Sequence, residues 1–222
     1  LTKVGGCEFS DAATFSFHPV KNITTGEGGA ITFRESKHAR IARLHRNHGI
    51  NRYDLDGLDD ALQPASFWSY VCEEPSLNFR LPDILCALGI SQIQKLPNWV
   101  YKRAQIWDLY ECLIANSGVA KLVKKEAWCE PAWHLLPVQI EFEELDKSRV
   151  NVFKFLNARN IFPQVHYQPV HRQPYWIERY GRDELPNAES YFKKTMSLPL
   201  FVEMTDSNVR YVIETLTEAL NS

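Results

Sequence analysis

A chain of 222 residues, 45% hydrophobic and 12% aromatic, has enough apolar content for one large domain or two small ones and is not disordered. With 27 acidic against 25 basic residues it offers no electrostatic footprint for nucleic acid. No apolar run approaches a membrane span, and the opening Leu1-Thr2-Lys3-Val4 has no charged segment leading into an apolar one, so neither a membrane partner nor secretion is expected. Five scattered cysteines (Cys7, Cys72, Cys86, Cys112, Cys129), odd in number and without metal-type spacing, read as reduced thiols of a cytoplasmic protein.

In chain order, residues 12–17 and 30–33 read as two short buried strands. Ser36 then caps a helix that carries Ile41, Ala42 and Leu44 and ends near Gly49. His45 and His48 lie three apart on it, with no third ligand nearby, and no metal is expected. Residues 50–76 form a long irregular stretch, the kind of loop that is usually functional or at an interface. Pro82 and Asp83 suit the first turn of the next helix, with Ile84, Leu85, Leu88 and Ile93 as its apolar stripe. Pro97 is expected to break it, and a longer helix follows to about Asn116. Trp133 to Ile140 reads as a strand, Lys147 to Asn160 as a helix and Phe162 to Tyr167 as a strand. Residues 174–180 and 187–194 look like short helices, and Thr205-Asp206 caps an amphipathic helix through Leu220.

The segment between the first two strands carries the chemistry. It runs Ser16-Phe17-His18-Pro19-Val20-Lys21-Asn22-Ile23-Thr24-Thr25-Gly26-Glu27-Gly28-Gly29. A lysine held in a turn between buried strands is poorly solvated, which disposes its amine to attack carbonyls. The string resembles the cofactor-lysine segment of the DegT/StrS nucleotide-sugar aminotransferases, Ser-Phe-His-x-x-Lys-x-Ile-Thr-x-x-Glu-Gly-Gly, and matches every specified position. Four further stretches follow in family order: Asn78-Phe79-Arg80-Leu81, Trp133-His134-Leu135, His166-Tyr167-Gln168-Pro169-Val170-His171 and Ser197-Leu198-Pro199-Leu200.

The resemblance implies an α/β protein of the pyridoxal-phosphate-dependent transferase fold type I, similar to aspartate aminotransferase. Residues 1–96 would be the C-terminal part of the large cofactor domain with interface helices, and residues 97–222 a linking helix and a small α+β domain. It implies pyridoxal 5'-phosphate as cofactor, with Lys21 as the Schiff-base lysine and proton carrier. Ser16 would bind the cofactor phosphate, and Asn78 would reach it from a neighbouring subunit, hence a homodimer with shared active sites. His18, His166, Tyr167 and His171 are the candidate sugar-binding residues. The implied substrates are a nucleotide-linked 4-keto deoxysugar and glutamate as amino donor, on the route to pseudaminic acid or a related cell-surface sugar.

Two departures stand out. Ser76-Leu77 occupy the place of the family's Gly-Tyr, and three family elements that precede the lysine have no counterpart: a Gly-Thr phosphate turn, a ring that stacks on the cofactor and the Asp paired with its pyridine nitrogen. Asp11 stands too close to Lys21 to replace that acid. With Leu1 opening the chain almost directly into a strand, the expectation is a fragment of a longer enzyme. The alternatives are a catalytically silent partner that keeps the dimer surface, and a cofactor-dependent sugar dehydratase. Those dehydratases place histidine where Lys21 stands, which argues against them.

Overall fold

A computed structural model describes residues 2–51, 68 and 70–222. They divide into two compact units, Leu1–Lys95 and Leu96–Ser222. In the first, β1 (Ala12–Ser16) and β2 (Gly29–Phe33) pair antiparallel from Ala12 opposite Phe33 to Ser16 opposite Gly29. Where two buried strands were expected, every residue of both is exposed or half-buried, because a two-stranded sheet alone covers neither of its faces. The pairing continues one step past the strands, where the Phe17 N–H donates to the Gly28 carbonyl at 2.9 Å. Glycine is required at this closing end. A Cβ on Gly29 would lie 2.6 Å from the Phe15 carbonyl oxygen, closer than real side chains approach.

Helix α1 (Ser36–Arg46) follows β2, with Glu35 rather than Ser36 at the N-cap position. Its predicted end near Gly49 is three residues too long, because His48 takes a left-handed φ of 59°. His45 and His48 therefore do not share a helix face. The irregular stretch expected over 50–76 lies largely outside the described residues, but its ends pair as β3 (Ile50–Asn51) and β4 (Val71–Cys72).

Helix α2 (Asp83–Ser117) spans the boundary between the units and is unbroken at Pro97, where a break was expected. A proline removes one i→i−4 hydrogen bond and crowds one carbonyl, a local cost. The later turns bury Arg103, Ile106, Trp107, Tyr110 and Ile114, and that burial holds the helix together.

The second unit is built on an antiparallel sheet in the order β5-β6-β7, from β5 (Lys121–Leu122), β6 (Leu136–Gln139) and β7 (Thr195–Leu198). All four β7 residues are buried. Helices α3 (Arg149–Asn157) and α6 (Asp206–Asn221) pack together, and α6 turns Val209, Val212, Ile213, Leu216, Ala219 and Leu220 inward at helical spacing. Thr205 and Asn208 close a capping box on α6, as the Thr-Asp start implied. Trp133 stacks on Trp107 with ring centroids 3.4 Å apart, so it joins the core through its ring while the strand begins only at Leu136. The Tyr110 hydroxyl donates to the Pro199 carbonyl at 3.0 Å and Arg103 donates to that of Leu200 at 2.9 Å, tying α2 to the segment after β7. Burial pushes the Tyr110 phenol up and the Arg103 guanidinium down from their ordinary pKa values.

The strand expected over Phe162–Tyr167 is reduced to one bridge, Gln164 opposite Ser197. Gln164 and Ser197 exchange both backbone hydrogen bonds there, and Pro163, which has no N–H, bars the ladder from extending on that side. Helices α4 (Pro174–Tyr180) and α5 (Pro186–Lys194) fall where two short helices were expected, each opening on a proline.

Two substitutions test this packing. Trp107→Ala empties a side chain that is 1% exposed and should destabilise the second unit by about 3–5 kcal/mol in urea unfolding. Gly29→Ala forces β1 and β2 apart where they close and should cost about 1–3 kcal/mol, read as faster amide exchange at Phe17 and Thr25 with α6 unchanged.

Candidate active site

The connection between β1 and β2, residues 17–28, folds back beneath its own first carbonyl. The Phe17 carbonyl accepts from the Thr25 N–H at 3.0 Å and from the Thr24 hydroxyl at 2.9 Å. The Thr25 hydroxyl, 2% exposed as a residue, donates to the Glu27 carbonyl at 2.7 Å, and the Gly26 N–H donates to the Thr24 hydroxyl at 2.8 Å. Gln92 of α2 accepts from the Thr24 N–H at 3.4 Å. These bonds anchor the second half of the connection and leave its tip to a tight turn, in which the Lys21 N–H donates to the His18 carbonyl at 2.9 Å.

Lys21 is half-buried at that tip. Ser16 sits at the end of β1, where its oxygen accepts from the His18 N–H at 3.4 Å and its own O–H remains available to donate. Nδ1 of His18 accepts from the Val20 N–H at 3.4 Å, which leaves the ring proton on Nε2, 4.0 Å from Glu27. Ser16, His18 and Lys21 thus share one connection. Asn78 belongs to the same unit, in a bridge opposite Asn47, and its side-chain oxygen accepts from the Arg80 N–H at 3.2 Å. Leu77 and Phe79 on either side of it are 66% and 65% exposed.

The other predicted residues lie in the second unit. His166 Nδ1 is 2.9 Å from the Ser197 hydroxyl, and the Tyr167 ring meets the His166 ring edge-on at 4.9 Å. His171 Nε2 lies 2.7 Å from Glu189, which also accepts from both ends of the Arg172 guanidinium. Arg172, and then His171, hold the Glu189 carboxyl below the usual carboxylate range. Glu189, Thr24, Thr25, Gln92 and Ser197 carry no role that the sequence pattern alone would signal. Glu189 meets partners 17 and 18 residues away, a separation with no local periodicity to betray it.

By type, an amine at Lys21 can react with a carbonyl, and the Ser16 hydroxyl and Asn78 carboxamide can donate hydrogen bonds to a phosphate, so these residue types fit a phosphorylated aldehyde. Among the described residues no three His, Cys, Asp or Glu side chains group as metal ligands, and no helix is long and apolar enough to cross a membrane.

Comparison with known proteins gives a consistent result. The model of the DegT/DnrJ/EryC1/StrS aminotransferase family matches residues 2–217. A UDP-4-amino-4,6-dideoxy-N-acetyl-β-L-altrosamine transaminase of Campylobacter jejuni (serotype O:23/36, strain 81-176) is 32% identical over 218 residues, covering 98% of this chain and 54% of that protein. The spore coat polysaccharide biosynthesis protein SpsC of Bacillus subtilis is 32% identical over 218 residues, with 94% and 53% covered. Among solved structures, Helicobacter pylori PseC, an aminotransferase of pseudaminic acid biosynthesis, superposes with a TM-score of 0.83 at 25% identity, covering 96% of this chain and 54% of that one. The Streptococcus pneumoniae sugar aminotransferase Spr1654 in its PMP form gives 0.81 at 26%, with 96% and 53% covered. The chain spans about half the length of the curated relatives it matches. Its mixed α/β fold is that of the sugar aminotransferases, the fold type I expected from the sequence, and the chain belongs to the DegT/DnrJ/EryC1/StrS aminotransferase family.

Proposed function

We propose that this chain serves a pyridoxal-phosphate-dependent aminotransferase that moves an amino group from glutamate to the 4-keto carbon of a nucleotide-linked deoxysugar. The product class is an aminosugar of the kind used for pseudaminic acid or a related cell-surface sugar. One observation carries the reading: a lysine amine, half-buried, at the tip of a connection whose strands and second half are hydrogen-bonded in place.

Bound pyridoxal phosphate supplies an electron sink for the carbon that loses its proton. Lys21 would hold the cofactor through its Nζ, and the same amine, when free, would carry a proton to and from the reacting carbon. The turn at His18–Lys21 fixes the backbone from which this amine is presented. Ser16 and Asn78 donate to the phosphate, Asn78 from the neighbouring subunit of a homodimer. The exposed Leu77 and Phe79 beside Asn78 supply apolar area for such a subunit contact. His18, His166, Tyr167 and His171 meet the sugar. The lysine at position 21, rather than histidine, favours transfer of the amino group over dehydration.

The chain mixed with pyridoxal phosphate should develop a visible absorbance band that glutamate bleaches and 2-oxoglutarate restores. Lys21→Ala should abolish the band, and Ser16→Ala should weaken cofactor binding about 10–150-fold, the worth of one hydrogen bond to a charged group. A band that persists in Lys21→Ala overturns the reading.

A further inference from the structure

We infer that Glu189 is a positioning residue that fixes the loop 164–172 through His171 and Arg172, with Ser197 holding the loop's other end. This rests on the reading that the loop meets the sugar. Glu189 lies in the first turn of α5, and its carboxylate takes three donors from the loop. Oε1 accepts from His171 Nε2 at 2.7 Å and from Arg172 Nε at 2.7 Å, and Oε2 accepts from the second Arg172 nitrogen. A two-pronged guanidinium–carboxylate pair fixes direction as well as distance. An ionised carboxylate only accepts, so the imidazole proton of His171 stands on Nε2 and the ring has one orientation.

The opposite end is pinned differently. Gln164 and Ser197 exchange backbone hydrogen bonds of 3.0 and 2.7 Å, and the Ser197 hydroxyl lies 2.9 Å from His166 Nδ1. Between the two pins Tyr167 is 71% exposed, so its ring is presented outward from a loop held at both ends.

Both pins sit on the single run α5–β7, which the core itself anchors. Thr195 to Leu198 are buried, and Arg149 donates to the carbonyls of Phe192 and Thr195. Open grooves of about 410 and 530 Å³ both border His171, so packing alone leaves the loop room to shift. The carboxylate supplies the restraint that packing does not. His171 is 11% exposed at its side chain, and its Nε2 on Glu189 sets which edge of the ring is left for the sugar.

The test compares Glu189→Ala and Glu189→Gln with a surface control, Glu126→Gln, in the full 222-residue chain. Ring nitrogen–proton spectra should show His171 protonated on Nε2 in the parent. In Glu189→Ala that signal should move to a tautomer average and the Tyr167 and Gln168 amides should shift, while β6 and α6 amides stay in place. Glu189→Gln, which keeps an acceptor for His171 but loses the charge facing Arg172, should fall between. In cofactor-loaded protein, with UDP-4-amino-4,6-dideoxy-N-acetyl-β-L-altrosamine as amine donor, the KM of Glu189→Ala should rise ~10–100-fold with the glutamate KM unchanged. Unmoved His171 and Tyr167 signals, or shifts spread evenly across the second unit, overturn the proposal. If no variant or parent takes up cofactor, the catalytic reading fails by itself, and the spectra still decide the role of Glu189.

Discussion

The meeting of Ser16 with Gly29 is the constraint from which the site follows. Two strands can close there because position 29 has no side chain to strike the Phe15 carbonyl. Once closed, twelve intervening residues must turn within a fixed span, and Thr24 and Thr25 consume the Phe17 carbonyl from below. The tip is then a short, hydrogen-bonded turn with Lys21 on it. Backbone entropy at the base of the lysine is lost on folding rather than at each encounter with a carbonyl.

The second unit solves a related problem with different bonds. Its loop pairs with the sheet only at Gln164, so side chains hold the rest. A carboxylate and a hydroxyl reach it from a run whose strand is wholly buried in the sheet. The buried stacking of Trp107 on Trp133 and the hydrogen bonds from Tyr110 and Arg103 fix that sheet's surroundings in turn. Order thus passes from an apolar core to a polar loop through a small number of named contacts.

Local chemistry was legible in the sequence and distant chemistry was not. The two strands about Lys21, the short helices opening at Pro174 and Pro186 and the Thr205 cap each announce themselves within a few residues. Pro97 misled because a propensity argument weighs one lost hydrogen bond without the buried stripe beyond it. Phe162–Tyr167 misled because an apolar run says nothing of how far a neighbouring strand runs alongside it, and pairing with β7 stops at Gln164. Glu189 gave no signal at all, since its partners are close only after α5 and the loop have both folded. The Lys21 segment was recognised as a family pattern, while the hydrogen bonds that make it a stable turn came from the structure.

The most direct measurement is the mass of one peptide. The chain is incubated with pyridoxal phosphate, reduced with borohydride and digested, and the fragment containing residue 21 is weighed. The account predicts a pyridoxyl-phosphate mass increment on Lys21 and on no other lysine in stoichiometric amount. An unmodified Lys21, or label scattered over exposed lysines such as Lys37 and Lys124, would contradict it.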